Sequence, residues 1–322
     1  MKALVVRLGG FGGVLLTGPA VRAVATRAGH VTVVCGARGA PAARLLPHAD
    51  DVLVAEDARQ GADPPGEGEA DTDRLLRRLR EDSYDVALDL TPSHRSPLPV
   101  EQLLRTARVP RVGAVDHVDS PARRPQGRPD HAAEAALQTA ARLGFSLRDG
   151  DDGRLRVVPS PDTAGVTGNG PYVVVHPGAG TPNRAWDPDG CAEAVALLAD
   201  AGHRVVVTGG PHETTLTRYV SGGTAVDLGG RTDARTLAGV VRAADVVVTG
   251  STAPAQLAAA TGTPVVSLRS RVDPRRGPYG VPGVLLGDET GPRAEAGARP
   301  GRNGVTAHDV LRGVQKLLQE GA

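Results

Sequence analysis

The sequence predicts an α/β protein made of two successive doubly wound domains. Three observations carry this expectation. The chain has 322 residues, beyond the size that one hydrophobic core usually serves. Short Val-rich runs alternate along its whole length with Ala/Leu/Arg stretches of helical character, the pattern of βαβ units and a parallel sheet. Hydrophobic residues make up 40% of the chain but aromatics only 2%, so its cores must be built from Val, Leu and Ala, which suit buried parallel strands and their covering helices.

In the first half the expected strands are Ala3–Val6, Val31–Cys35, Asp51–Val54 and Asp85–Leu90, with helices near Val14–Arg27, Ala40–Leu46, Asp73–Glu81 and His131–Leu143. Asp57–Asp71 is rich in Gly, Pro and acids and reads as a solvated loop. Turn residues concentrate in Pro159–Pro171, PSPDTAGVTGNGP, the best linker candidate. Beyond it the expected strands are Tyr172–His176, Arg204–Thr208, Asp245–Thr249 and Pro264–Leu268, with helices near Pro188–Ala201, Glu213–Val220, Ala234–Ala243 and Pro254–Thr261. The domains are accordingly placed at 1–160 and 171–305, followed by a C-terminal segment 306–322 whose helix, Ala307–Gln319, is expected to pack back on the first domain. Two such Rossmann-like domains set the carboxyl ends of their strands around a central cleft, where sheets of this kind take ligands.

Lys plus Arg number 37 and Asp plus Glu 36, so a net charge of +1 offers no global attraction to nucleic acid or an anionic membrane, and any anion site must be local. Cys35 and Cys191 show no metal-binding or redox spacing, which fits a reducing cytoplasm and no disulfide. At the start, Arg7 and the glycines from Gly9 to Gly18 interrupt the apolar stretch, so it reads as a strand and turn rather than a signal peptide. No apolar run approaches spanning length.

Several turns carry candidate chemistry. Arg7-Leu8-Gly9-Gly10-Phe11-Gly12-Gly13 follows a strand and opens a helix, so its amides can approach an anion, and Gly10 and Gly12 are the candidate contacts. It lacks the G-x-G-x-x-G spacing, and the second strand ends in Cys35-Gly36 with no acid for a ribose, which argues against a nicotinamide cofactor. A plain tight turn explains it equally well. His176-Pro177-Gly178 and Thr208-Gly209-Gly210-Pro211-His212-Glu213 repeat the order of strand, glycine turn and helix. Glu213 is either a first-turn helix carboxylate or a ligand contact, and these readings are compatible. Arg269, Arg271, Arg275 and Arg276 form a basic loop that either meets phosphates or is solvated.

These stretches resemble glycosyltransferase family 9, the heptosyltransferase-like family. RLGGFGGVLLTGPA is similar to the family's R-L-S-S-x-G-D-V-L-x-x-x-P-A, with Gly12, Val14, Leu15, Pro19 and Ala20 matching and Gly13 standing where the family carries an aspartate. Tyr84 to Leu90 with Arg95-Ser96 is similar to YDVxxDLQGxxRS. Val175 to Gly180 with Arg184-Ala185-Trp186 resembles HPGxxxxxKRWP, Arg184 replacing the lysine. Ser251 to Val266 resembles (D/N)TGPxHLAAAxGTPVV, with Ser251, Ala253 and Gln256 replacing the acid or amide, the glycine and the histidine.

The resemblance implies a GT-B fold: an acceptor-binding first domain, a nucleotide-sugar-binding second domain, and an inverting, metal-independent transfer of heptose or a related sugar to an acceptor hydroxyl. It implies His176, Gly178, Arg184, Glu213, Thr252, Ala253 and Gln256 on the donor side, and Gly10, Gly12 and Arg95 on the acceptor side. Gly13 marks the position of the missing base, for which His94, Asp116 and His131 are candidate substitutes. No cofactor is expected beyond the nucleotide-diphosphate sugar, and no metal site. The expected acceptor is a glycan, a lipid-linked molecule or a small natural product, met in the cytoplasm or at the inner face of the membrane. Alternatives are a catalytically impaired nucleotide-sugar-binding relative and a GT-B-type sugar-nucleotide epimerase.

Overall fold

The computed structural model describes residues 1–55, 67–92, 100–115, 131–179, 186–268, 277–287 and 304–321. The chain divides into two compact units, Met1–Val158 and Pro159–Ala322.

The first unit holds a parallel sheet of β1 (Lys2–Arg7), β2 (His30–Gly36), β3 (Asp51–Ala55), β4 (Val86–Asp89) and β5 (Val112–Ala114), in the order β3-β2-β1-β4-β5. Val, Leu and Ala fill β1, β2 and β4 because both faces of the central strands are covered. Leu4, Val6, Val34 and Ala87 pack on Leu75 and Leu79 of one helix and on Leu103 and Leu104 of another. The single helix expected over Val14–Arg27 is broken in two, α1 (Phe11–Leu15) and α2 (Gly18–Ala25). Pro19 is the reason: it lacks an amide donor and cannot continue a helix, but it suits the first turn of a new one.

The remaining helices of this unit are α3 (Ala40–Ala43), α4 (Glu67–Asp82), α5 (Val100–Thr106) and α6 (Ala132–Arg142). The expectation of a loop through Asp71 is corrected at its end, where α4 begins at Glu67; its Gly and acids are overridden by the amphipathic stretch that follows.

The second unit begins with a helical turn, α7 (Ala164–Thr167), inside the segment expected to be only linker. Its Thr163 and Thr167 are buried, and Gly239 packs so closely that a Cβ there would lie 2.6 Å from the Pro161 carbonyl. The sheet consists of β6 (Val173–His176), β7 (Val205–Val207), β8 (Val226–Asp227), β9 (Val246–Thr249), β10 (Val265–Leu268) and β11 (Gly283–Leu286), all parallel, in the order β11-β10-β9-β6-β7-β8.

The helices are α8 (Pro188–Asp200), α9 (Thr214–Ser221), α10 (Ala234–Arg242), α11 (Thr252–Thr261) and α12 (Ala307–Glu320). Against the expectation for the last helix, α12 lies on α8 and on β9, β10 and β11 of its own unit. Ala307, Val310, Val314 and Leu317 form its apolar stripe, and they complete the core built by alternate valines of β6, β7 and β9. Trp186, fully buried, belongs to the same core.

The strands absent from the sequence reading, β5, β8 and β11, all lie at or next to sheet edges. They are short and half-exposed, so they lack the continuous apolar run that marks a central strand.

Candidate functional site

In each sheet the strand order reverses once, and the carboxyl ends flanking that reversal form the crevice where such sheets bind ligands. In the second unit the reversal lies between β6 and β9, whose last residues, His176 and Thr249, are register partners. The turn Pro177-Gly178-Ala179 leaves β6, and α11 begins just beyond β9 at Thr252.

Ser251 is the N-cap residue of α11 without a side-chain cap bond, and Pro254 supplies no amide, so the first-turn amides offered at this end belong to Thr252 and Ala253. Together with the helix dipole they favour an anion. Gln256 lies in the second turn of the same helix. It is fully buried and its Nε2 donates to the Gly277 carbonyl at 2.7 Å, tying α11 to the segment before β11.

Glu213 follows β7 through a glycine turn. Its Oε2 accepts from the Gly210 amide at 2.7 Å and lies 3.9 Å from His176 Nε2. The carboxyl group occupies the space a side chain on Gly178 would need: a Cβ there would lie 1.9 Å from Oε1 and 2.3 Å from Cδ. Gly178 is thus glycine because a carboxylate rests on it.

His176 Nδ1 is 3.0 Å from Thr208 Oγ1, a buried hydroxyl at the end of β7. Burial lowers the imidazole pKa below its ordinary value, while the Glu213 carboxylate opposes that shift. His176, Gly178 and Glu213 are therefore brought into contact around one crevice. Thr208 was not singled out from the sequence. Its signal was its place at a strand end before two glycines.

In the first unit the reversal lies between β1 and β4. Arg7 ends β1 with its guanidinium buried; Nε donates to the Gly13 carbonyl at 3.2 Å and Nη1 to the Leu90 carbonyl. Asp89 ends β4, also buried, and accepts from the Thr91 amide at 2.9 Å. Gly13 sits inside α1 with no left-handed backbone, and a Cβ there would lie 3.2 Å from Arg7 Nη2 and 3.3 Å from Nε. Gly10, exposed, is the N-cap of α1, and its Cβ position is open, whereas Gly12 is buried. Arg7 beside residue 13 is the feature the sequence reading left without a role.

His131 is the N-cap of α6, its Nδ1 accepting from the Ala133 amide at 3.2 Å. His94, Arg95, Asp116, Arg184 and the arginines at 269, 271, 275 and 276 lie outside the described residues. Among the described residues no three His, Cys, Asp or Glu side chains gather as a metal site, and no helix is long and apolar enough to cross a membrane. Cys35 and Cys191 are free and buried. Burial pushes both thiols up, Cys35 to about 11, which leaves them unreactive.

The family model described as "Glycosyltransferase family 9 (heptosyltransferase)" matches residues 72–291. Among solved structures, the glycosyl transferase family 9 protein from Veillonella parvula is 18% identical, with a TM-score of 0.75 over 99% of this chain and 97% of that one. The E. coli ADP-heptose LPS heptosyltransferase II is 19% identical with a TM-score of 0.71, each chain covered completely. The E. coli heptosyltransferase WaaC, solved with ADP-2-deoxy-2-fluoro heptose, is 19% identical with a TM-score of 0.64, again over the whole of both chains. A search of curated proteins found no significant match. At these identities the likeness establishes the fold, two parallel-sheet units of the GT-B glycosyltransferase type.

Proposed function

The chain belongs to glycosyltransferase family 9, and from that premise we propose that it is an inverting, metal-independent glycosyltransferase. It moves a heptose or related sugar from a nucleotide-diphosphate sugar to an acceptor hydroxyl. The second unit takes the donor and the first unit the acceptor, which is a glycan, a lipid-linked molecule or a small natural product reached from the cytoplasm.

The observation that supports this most is the crevice at the β6/β9 reversal, where the Thr252 and Ala253 amides offer an anion site near the His176, Gly178 and Glu213 cluster. In the reaction an acceptor oxygen forms a bond to the anomeric carbon as the bond from that carbon to the diphosphate breaks. The electron pair leaves on the diphosphate, which the amides of α11 and the Arg184 guanidinium stabilise. The acceptor's proton goes to a base other than residue 13. His131 is engaged at the start of α6, which leaves His94 and Asp116 as the candidates of the first unit.

One observation favours a second reading, a relative that binds nucleotide sugars without turning them over. Residue 13 meets the Arg7 guanidinium with its backbone carbonyl and has no side chain, so that position holds no basic group to take the acceptor's proton.

A panel of ADP-, GDP-, UDP- and dTDP-sugars tests both. At about a hundred times its Kd a true donor adds roughly 2.7 kcal/mol of stability, so it raises the melting temperature clearly. Stabilisation with donor consumption supports the transferase, stabilisation without consumption the second reading, and no stabilisation by any member rejects both.

Gly178→Ala gives a sharper expectation. The new methyl group displaces a flexible carboxylate rather than backbone, so the fold should persist while Glu213 loses its seat and its bond to Gly210. Nucleoside diphosphate affinity should fall about 10-fold to 100-fold, the worth of one hydrogen bond to a charged group. Isothermal titration at unchanged melting temperature measures it. Wild-type affinity in the variant would remove Glu213 from the donor site.

A further inference from the structure

The segment that joins α7 to β6 passes through two glycines of left-handed backbone, Gly168 with φ 75° and Gly170 with φ 91°, on either side of Asn169. Three successive carbonyls here meet a single cation. Arg204, the residue before β7, donates from Nη2 to the Gly168 and Gly170 carbonyls at 3.2 and 2.7 Å, and from Nη1 to the Asn169 carbonyl. Its Nε is buried without a partner and its guanidinium lies over the Tyr172 ring, 5.3 Å from the centroid, so its hydrogen bonding is directed at this turn. Asn169 and Gly170 are both exposed, and the space beside Gly170 is open. Among the described residues neither the Asn169 carboxamide nor the Gly170 amide has a hydrogen-bond partner.

We propose that Asn169 is a self-modification site, at which the Gly170 nitrogen attacks the Asn169 carboxamide and Arg204 promotes the step. The attacking nitrogen first gives its proton to solvent. The charge left behind spreads onto the carbonyl oxygen of its own peptide unit, which is that of Asn169. Arg204 Nη1 holds this oxygen, so a cation stands where negative charge develops. The nitrogen then bonds to Asn169 Cγ, the side-chain nitrogen takes a proton from water and leaves as ammonia, and a five-membered succinimide closes. Water opens the ring at either carbonyl, giving aspartate or isoaspartate with no change in oxidation state. Glycine at 170 favours the attack, because it carries no Cβ to crowd the nitrogen.

The two products act differently on the turn. Aspartate adds one negative charge to the residue whose carbonyl Arg204 already holds. Isoaspartate inserts a methylene into the main chain, so the three carbonyls no longer converge on one guanidinium and the link between α7 and β6 loosens. None of this depends on the donor-site reading above.

Incubation of the full-length folded protein in mildly alkaline buffer, followed by peptide mapping with mass spectrometry, tests the site. A synthetic peptide of residues 166–173, VTGNGPYV, is the reference without Arg204, and Asn303-Gly304, the second such dipeptide of the sequence, is the reference within each digest. Asn169 should convert about tenfold faster in the folded protein than in the peptide, with isoaspartate among the products. Arg204→Gln should remove that advantage, the worth of one hydrogen bond to a charged group, and Arg204→Lys, which keeps the charge, should retain part of it. Asn303 should convert at one rate in all three proteins. Folded wild-type protein that converts Asn169 no faster than the peptide overturns the proposal. So does an Arg204→Gln protein that loses no rate, or that slows equally at Asn169 and Asn303. The comparison with the peptide needs no variant, so it decides even where Arg204→Gln fails to fold.

Discussion

Replacing Gly13 with aspartate is expected to raise turnover about 10²–10⁴-fold on a donor–acceptor pair that the wild-type protein accepts, the usual contribution of a positioned general base. The gain should appear in kcat rather than in donor affinity, because the carboxylate would act on the acceptor's proton only as the transition state forms. The backbone permits the change. Gly13 lies within α1 and has no left-handed conformation to lose, and a glycine inside a helix costs about 0.5–1 kcal/mol relative to alanine, so stability should hold or rise. A new Cβ meets only the guanidinium of Arg7, 3.2 Å from Nη2, which can yield by a few tenths of an ångström. That guanidinium would also keep the added carboxyl ionised and able to take a proton. Turnover and melting temperature of wild type, Gly13→Asp and Gly13→Ala provide the comparison. Turnover that appears only in Gly13→Asp identifies the wild type as an impaired relative. Efficient wild-type transfer that falls in a stable Gly13→Asp protein shows instead that the base lies elsewhere on the first unit.

Asp151→Asn should cost the first unit about 2–3 kcal/mol, the worth of the charge that the part-buried Arg22 holds ionised. Arg22 reaches from α2 to Asp151 in a two-point contact, Nε to Oδ2 at 2.7 Å and Nη2 to Oδ1 at 2.8 Å, with side-chain exposures of only 6% and 13%. Nη2 also donates to the Arg154 carbonyl at 2.8 Å, so the pair fastens the segment after α6 across α2. Without the carboxylate charge, the guanidinium remains buried against neutral oxygen atoms.

The same pair sets an acid sensitivity. The Arg22 hydrogen bond holds the Asp151 carboxyl down at about 2 from an ordinary 3.8, so this contribution is complete above the ordinary value and disappears as pH falls toward the lowered one. Denaturant unfolding of the two proteins across that window should show their difference shrinking with acid. A constant difference down to the lowest pH would mean that Asp151 acts through packing rather than charge.

The central strands were legible because both faces of β1, β2, β4, β6, β7 and β9 are covered, which demands unbroken runs of Val, Leu and Ala. Their glycine turns were legible for a related reason: a strand that ends beneath a ligand crevice needs backbone without side chains. Thus His176, Gly178 and Glu213 could be picked out in order along the chain. Their contact could not, since the residues come from two different strand ends and meet only through the pairing of β6 with β7.

Sequence by itself determined the α/β class, the two-unit organisation and the family, because hydrophobic period and local turn chemistry are properties of neighbouring residues. Tertiary structure alone decided the sheet order that places the two reversals. It also decided the burial of Gln256 against Gly277, the pressure of Glu213 on Gly178, the place of Arg7 beside Gly13, and the packing of α12 on its own sheet. Each of these is a contact between residues far apart in the chain, selected by the packing of whole faces, and no local pattern encodes which face a helix or side chain will meet.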